Sequence, residues 1–584
     1  MNFFSVLTLI GGLALFLYGM EVMGDALKKL AGGQLQSILG KLTSNRMKGF
    51  LLGFLVTAVI QSSSATTVML VGFVNSGIMK LGQTISIIMG ANLGTTVTSW
   101  LLSTAGISGE SFWVQLFKPS SFTPILAAVG IIMTMTAGSD RKKDIGTILL
   151  GFSILMFGME TMSASMDGLK ESAAFSKALI MFSNPVMGIL IGTVLTAIIQ
   201  SSSASVGILQ ALAITGTIPY STAIPIILGQ NIGTTITPIL SSISGNTESK
   251  RVAFSCLYIK MIGVLIVAPV FYMLNAIFAF SFMTEHVSAM NIAVIHSLFN
   301  LLSTVILMPF CSWIEALAVK TVRGPKSEKT DLFDTLDDRF LSVPSYAVEK
   351  SRLLVSEMAR MSKSALQESF TLFREYDRQK GKDILNAEQL VDKYEDKIST
   401  YLLKISQLTL SAQDSMEVSQ LLHVIGDEER ISDHAVNILE VAQEMHEKGI
   451  LFSEDARREM QVITAAVSEI VDLATQALTE ENLEIAKQVE PLEQIIDKLK
   501  HKIKNNHINR LRDGSCTVEM GFILSDLLTN CERVADHCSN IAVCLLEMEH
   551  NSFETHEYLS HVKEEGENKF FEQYAKYQKK YSLS

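Results

Sequence analysis

One passage of this chain occurs twice. Thr57 to Ala65 reads TAVIQSSSA, and 139 positions later Thr196 to Ala204 reads TAIIQSSSA. The same offset carries Gly90 to Thr96, GANLGTT, onto Gly229 to Thr235, GQNIGTT, and Tyr18-Gly19-Met20-Glu21 onto Phe157-Gly158-Met159-Glu160. Three matches at one constant spacing identify a duplicated unit. Both copies put Gln, Ser, Thr and Asn into strongly apolar surroundings, where an unpaired polar group costs several kcal/mol. Whatever the chain does should be sought at those positions.

The apolar share of 48% and a mean hydropathy of +0.31 lean toward a membrane protein. The average hides two unlike parts. Residues 1–320 carry a net charge of +5 and the remaining 264 a net of −16. A sparsely charged, slightly basic part suits a bilayer and a densely charged, acidic part suits water. The six cysteines include no C-x-x-C pair, which supports neither a zinc ribbon nor a disulfide framework, so reduced thiols facing the cytosol are expected. The first twenty residues lack a basic leader and their end recurs internally at Phe157, so they read as a retained span and not a cleaved signal.

Apolar stretches run over residues 3–23, 49–79, 84–104, 120–137, 145–165, 186–217, 222–243, 252–280 and 289–313. Several reach the roughly 20 residues a helix needs to cross a hydrocarbon core. The two stretches with QSSS, flanked by Gly53 and Gly72 or by Gly192 and Gly207, read as broken or re-entrant helices buried in protein. The basic residues suggest a topology. Lys28, Lys29, Lys41, Arg46 and Lys48 follow the first span, whereas the matching connector of the second copy holds only Lys170 and Lys177. The first connector is expected inside and the second outside. Arg141 to Lys143, Lys250 with Arg251, and Lys320, Arg323 and Lys326 then all fall inside. The two copies are expected to face opposite ways, as in the inverted repeats of secondary transporters, although duplicated scaffolds also occur in channels.

If each QSSS marks a helix break near the bilayer midplane, backbone N–H groups and three hydroxyls there would favour an anion. Carbonyls, amide oxygens and Thr hydroxyls would ligate a small hard cation such as Na⁺. Gln61, Asn92, Thr95, Thr96 and Thr98 match Gln200, Asn231, Thr234, Thr235 and Thr237. The plainer alternative is that Ser, Thr and Gly only permit close helix packing. The repetition of a Gln, three Ser and a later Asn-x-Gly-Thr-Thr weighs against it. Glu21 and Glu160 are either intramembrane acids with a role or markers of a helix end at the interface.

The doubled QSSSA followed by G-x-N-x-G-T-T resembles the type II sodium-phosphate cotransporter family over about residues 1–315. The resemblance implies an all-α polytopic membrane protein with two inverted repeats, about 1–139 and 140–315, whose QSSS regions meet to bind phosphate and Na⁺. It implies a phosphate region at Ser62, Ser63, Ser64, Ser201, Ser202 and Ser203, and a sodium site at Gln200, Ser201, Thr234 and Thr237, with Gln61 and Thr95 in the other copy. Asn92, Asn231, His296 and Asn300 support these, the last two in an H-x-x-F-N helix. The matching helix near Arg251 departs from that pattern, with Cys256 and Lys260 where His and Asn are expected. Lys260 is either a fixed cation near a bound anion or a side chain that snorkels to the interface.

Residues 321–344 read as a linker and 345–550 as continuous helical pattern, with helices near 345–376, 384–409, 413–447, 454–480, 482–507 and 516–549; a charged tail, 551–584, follows. This part is duplicated too: ERISDHAVNI from Glu429 matches ERVADHCSNI from Glu532 at an offset of 103. Glu429 and Asp433, like Glu532 and Asp536, share a helical face and with Glu395 and Glu493 could hold a divalent or transition metal. The alternative is a solvated acidic stripe paired with Arg430 and Arg533. The tandem ERxxDH motif resembles the PhoU domain, which implies a cytoplasmic regulatory module of three-helix bundles. Together these readings anticipate a multi-pass protein of the cell (inner or plasma) membrane that carries inorganic phosphate with Na⁺. A membrane-anchored phosphate sensor is the alternative. No nucleic-acid partner is expected, oligomerisation is left open, and without a P-loop, G-x-S-x-G or HExxH motif no enzyme is expected.

Overall fold

A computed structural model describes residues 3–39, 45–76, 79–107, 118–166, 181–324, 336–550 and 567–583, together with positions 115 and 333. Lys41, Lys170, Lys177 and Lys326 of the charge argument lie outside the described residues, as does most of the tail before 567. The described residues are helical throughout, with one isolated antiparallel bridge between Pro219 and His286. The protein is all-α, and its chain forms two compact units, one of Met1–Tyr346 with Thr409–Ser411 and one of Ala347–Leu408 with Ala412–Ser584.

Seven described helices are long and apolar enough to cross a membrane by length and composition. Six lie in the first unit: Phe3–Leu30, Leu81–Gly106, Asp140–Met166, Tyr220–Ser242, Thr247–Phe278 and Ala289–Thr321. The seventh, Glu454–Glu480, belongs to the second unit, where its apolar side, Ile463, Val467, Ile470 and Val471, is buried in a bundle core.

In the first unit, α1 (Phe3–Leu39) is followed by α2 (Arg46–Ile60), α3 (Ser63–Asn75), α4 (Leu81–Gly94), α5 (Thr96–Ser103) and α6 (Pro119–Thr136). The second copy runs through α7 (Asp140–Met166), α8 (Pro185–Ile199), α9 (Ser202–Ile214), α10 (Tyr220–Gly233) and α11 (Ile236–Ser242). Then come α12 (Thr247–Phe278), α13 (Ala289–Leu307) and α14 (Cys311–Thr321). The duplication is repeated in the helix lengths: α2 and α8 have 15 residues each, α3 and α9 have 13, α4 and α10 have 14.

Glycine brings equivalent helices together in both copies. A Cβ at Gly90 would collide with the Phe50 carbonyl oxygen, and one at Gly229 with that of Ile189, so α2 lies on α4 and α8 on α10 at backbone contact. The matched helices α1 and α7 also pack on each other. Gly12 approaches the Gly158–Met162 turn of α7 and Gly19 approaches the Gly151–Leu155 turn, so the two helices run antiparallel. The contact is self-complementary, because the 139-residue offset maps Gly12 onto Gly151 and Gly19 onto Gly158. Phe16, Met23, Leu155, Met159 and Met162 fill the core beside it.

The segment Asp337–Tyr346 folds back on the same unit. Phe340 is fully buried against Gly72 and Phe73 of α3, edge-on to Tyr346. Arg339 Nε donates to the Ser241 carbonyl on α11 at 3.0 Å, and Asn75 Nδ2 at the end of α3 donates to Asp337 at 3.0 Å. One short stretch therefore touches a helix from each copy.

The second unit is a helical bundle: α15 (Pro344–Thr371, from Ala347 onward), α16 (Arg378–Ser406), α17 (Ala412–Lys448), α18 (Glu454–Glu480), α19 (Leu483–Ala486), α20 (Val489–Arg512), α21 (Val518–His550) and α22 (Glu567–Lys580). The helices sit within several residues of the ranges expected from the apolar periodicity. Capping explains where some begin: Asp377 accepts the Gln379 N–H at 2.7 Å, and Ser453 accepts the Ala456 N–H at 3.3 Å.

Candidate functional site

Each QSSS passage is a helix break built in the same way. Gln61 ends α2 in the left-handed region at φ 60°, and Gln200 ends α8 at φ 59°. Both backbone N–H groups return to the preceding turn, Gln61 to the Thr57 carbonyl at 2.8 Å and Gln200 to that of Thr196 at 2.7 Å. A left-handed non-glycine residue costs on the order of 1 kcal/mol or more, and such strain clusters at binding sites. The next residue is extended and caps the following helix. Ser62 Oγ accepts the Ala65 N–H and Ser201 Oγ that of Ala204, each at 3.2 Å. The remaining first-turn N–H groups of α3 and α9 have no intrahelical acceptor, which makes each break a small anion-favouring end inside an apolar unit.

The two arms of each break are bridged by hydroxyls. Thr57 Oγ1 donates to Thr66 Oγ1 at 3.0 Å, and at the equivalent positions Thr196 Oγ1 donates to Ser205 Oγ at 2.8 Å. Ser63, Ser202 and Ser203 are buried, while Ser62, Ser64 and Ser201 are half-buried. The Thr residues of both GTT passages are held on the backbone. Thr95 Oγ1 donates to Ala91 O at 3.0 Å and Thr234 Oγ1 to Gln230 O at 2.9 Å. Thr96 and Thr235 make similar bonds to Leu93 O and Ile232 O. Asn92 and Asn231 are buried, the latter donating to Ile227 O at 2.9 Å.

The copies differ at the Gln. Gln61 is half-buried, and its side-chain oxygen receives Thr98 Oγ1 at 2.7 Å while its amide donates to Ala58 O. Gln200 is exposed, and Thr237 Oγ1 reaches only its backbone carbonyl, at 3.5 Å. Thus the structure brings Gln61 together with Thr98, and Thr237 toward Gln200, while Thr95 and Thr234 are occupied within their own helices. Glu21 and Glu160 are exposed on the first unit.

Around the first break stand residues from both copies and from α13. Buried His296 pairs through Nδ1 with Ser99 Oγ at 3.0 Å, and Asn300 Nδ2 donates back to the His296 carbonyl at 2.9 Å. Gln210 of α9 donates to both the Ser99 and Ala289 carbonyls at 2.9 Å, which ties the second copy to α5 and α13. Gln230 Nε2 donates to Ser205 O at 3.0 Å. The side-chain oxygens of Gln210 and Gln230 are buried without a hydrogen-bond partner. Sequence reasoning did not single out Ser99, Ser205, Gln210 or the side chain of Gln230. A signal existed: at the 139-residue offset Gln210 faces Val71 and Gln230 faces Ala91, polar against apolar in otherwise matched passages.

In the bundle, carboxylate oxygens of Glu388, Asp392 and Asp433 lie within 4.8 Å of one another. Glu429 stands near the same group and its carboxyl is pushed up by burial and then by Asp433 and other acids. In the second motif Glu493 is pushed up to about 8 by burial, then by Glu490, Asp536, Asp497 and Glu532. Lys500 pairs with Glu532. Arg430 lies 3.5 Å from Glu429 and 3.7 Å from Asp433, and Arg533 3.8 Å from Asp536, exposed pairs of the kind that contribute little. The histidines of the motifs are engaged across the two helices, His434 Nδ1 with Asn530 and His537 Nδ1 with Asp427, each at 2.8 Å. Glu388 and Asp392, on α16, were not among the residues expected from the motif alone; they lie one helical turn apart and share a face.

Comparisons with known proteins bear on both units. Residues 15–164 and 165–292 match the Na⁺/Pi-cotransporter family, and residues 355–442 and 462–545 match the PhoU domain. An uncharacterised protein of Bacillus subtilis, YqeW, is 31% identical over 297 residues, covering 50% of this chain and 91% of the relative. The provisionally named inorganic phosphate export protein YjbB of Salmonella typhimurium is 22% identical over 564 residues, 95% of this chain and 100% of the relative. The sodium-dependent phosphate transport protein 2A of the rat is 38% identical over 98 residues, 16% of this chain and 15% of that protein.

Proposed function

This chain belongs to the Na⁺/Pi-cotransporter family and carries PhoU domains, and from that premise we propose that it moves inorganic phosphate across the cell membrane together with Na⁺ by alternating access. The observation that carries the reading is the pair of equivalent helix breaks, one with its Gln side chain latched by Thr98 and the other with its Gln exposed. Matched elements in unlike states are what a carrier needs if one half closes while the other opens. The antiparallel packing of α1 on α7 supports an inverted relation between the copies, with boundaries near 1–139 and 140–315.

In this reading the serines of both breaks, Ser62 to Ser64 and Ser201 to Ser203, and the first-turn N–H groups receive the phosphate oxygens. Gln200, Ser201, Thr234 and Thr237 take Na⁺, with Gln61 and Thr95 as the equivalent ligands of the first copy. Because Thr95 and Thr234 are bonded to their own helices, they offer lone pairs to a cation without giving up those bonds. Asn92, Asn231, His296 and Asn300 position these groups.

The PhoU unit, for which the basic residues of the connectors favour the cytoplasmic side, regulates the flux. Glu388, Asp392 and Asp433 would hold a hard divalent cation there. Such an ion would neutralise the clustered carboxylates.

The names of the relatives include export for YjbB and sodium dependence for the rat protein. A carrier that binds both ions runs in the direction that their gradients dictate. Radiolabelled phosphate flux into proteoliposomes should depend on a Na⁺ gradient and be lost in Gln200→Ala and Ser201→Ala. Flux indifferent to Na⁺ would overturn the coupling, and phosphate binding without translocation would assign the chain as a membrane-anchored sensor instead.

A further inference from the structure

Lys260 does not snorkel. It lies 13 residues into the 32-residue helix α12, about 20 Å from its start by helical rise, and is only 6% exposed. A lysine in an apolar interior normally meets a carboxylate, because an isolated buried charge is costly. The described acids of this unit are committed elsewhere or lie away from it. Asp25 pairs with Lys28, Asp144 with Lys29 and Glu248 with Arg251. Glu315 of α14, which packs on α12, stands beside Gly82 at the start of α4. Cys256, one turn back on α12, and His296 of α13 are the titratable groups within electrostatic reach of Lys260.

Two independent relations place this ammonium at the depth of the first helix break. The first runs along α3. Asn246, the cap of α12, bonds to Asn75 at the end of α3, and Ser249 Oγ donates to Val71 O at 3.3 Å, so α12 ascends as α3 descends. From Ser249 to Lys260 is about 16 Å of helix, and from Val71 back to the Ser62 cap about 13 Å, less than one turn of difference. The second runs through α13. His296, within electrostatic reach of Lys260, is bonded to Ser99, and the preceding residue, Thr98, holds the Gln61 side chain. Near the same α12–α13 crossing the Ser303 hydroxyl, next to Gly263, is buried without a partner.

We infer that Lys260 is a built-in counter-cation for the transported oxyanion, supplying a fixed positive charge at the depth of the first break. The inference rests on the transport reading above. It deepens it by making phosphate the acid that the described residues do not supply to a buried lysine, so that anion and ammonium compensate each other out of water.

The test is equilibrium binding of radiolabelled phosphate to the purified full chain at constant ionic strength and saturating Na⁺, with flux measured alongside. Lys260→Met and Lys260→Gln should each weaken phosphate binding about tenfold or more, the loss expected for one charge-assisted contact, while Lys260→Arg retains most of it. The Na⁺ concentration giving half-maximal flux at saturating phosphate should stay within about twofold of wild type in Lys260→Arg. Gln keeps a polar head at the site if the Met variant fails to fold. Wild-type affinity in a folded Met or Gln variant would overturn the inference while leaving transport intact. Failure of the wild-type chain to bind phosphate at all would overturn the transport reading itself and this inference with it.

Discussion

Thr98 Oγ1 donates to the Gln61 side-chain oxygen at 2.7 Å, whereas its counterpart Thr237 reaches the Gln200 backbone carbonyl at 3.5 Å. The first contact is partly buried and made between side chains, so removing its donor costs the Gln61 oxygen its protein partner. Thr98→Val should therefore lower stability by about 1 kcal/mol, seen as a reduced melting temperature in detergent. Thr237→Val should leave melting nearly unchanged and instead raise the Na⁺ concentration needed for half-maximal phosphate flux. The reverse pattern would contradict the assignment of Thr98 as a latch on Gln61 and of Thr237 as an ion ligand.

Backbone contact at the glycines makes a steric prediction. Gly90→Ala and Gly229→Ala each drive a methyl into a carbonyl oxygen on the facing helix, at Phe50 or Ile189. Each should cost about 3 kcal/mol, the upper range for overpacking. Gly24→Ala, whose new methyl would meet nothing within 4 Å, should be neutral or slightly stabilising. Size-exclusion profiles before and after heating compare the three variants directly.

The breaks themselves could be read from the sequence, because a Gln and three Ser in an apolar run have few other uses and the second copy confirmed the pattern. What could not be read was partnership. Gly12, Gly19, Gly151 and Gly158 show a seven-residue spacing in the chain, but nothing local says that the first pair meets the second head to tail. Gln210 looked like one polar residue on an apolar helix, and its meaning lies in two carbonyls 111 and 79 positions away. Lys260 showed the opposite limit: its charge was evident in the sequence, while its burial was supplied only by the packing of the fold. In the bundle the periodicity gave the helices, while the acids of α16 that face Asp433 depended on how α16 and α17 pack.

Glu493 gives a pH prediction for the bundle. Its folded pKa of about 8 lies above the ordinary carboxyl value of 4.5, so between these values the folded chain holds a proton that the unfolded chain releases. Stability therefore falls as pH rises through that window. With a chelator present, melting of the bundle should drop between pH 6 and pH 9, and Glu493→Gln should flatten the drop. Mg²⁺ or Mn²⁺ added at pH 9 should restore part of the lost stability in wild type and less in Asp433→Asn.

The thiols of the bundle should separate by reactivity. Burial pushes Cys531 and Cys544 up to about 12, so little thiolate exists at neutral pH, whereas Cys516 is partly exposed beside His507. Iodoacetamide at pH 8 should label Cys516 first, with Cys531 and Cys544 following only on denaturation. Mass spectrometry of peptides over a time course reads the order.

The strap formed by Asp337 to Tyr346 holds α3 through Phe340 and α11 through Arg339. Because the strap grips one helix from each copy, any change in the spacing of α3 and α11 must strain one of its two anchors, so a buried ring and a guanidinium set how far those helices separate before the strap lets go.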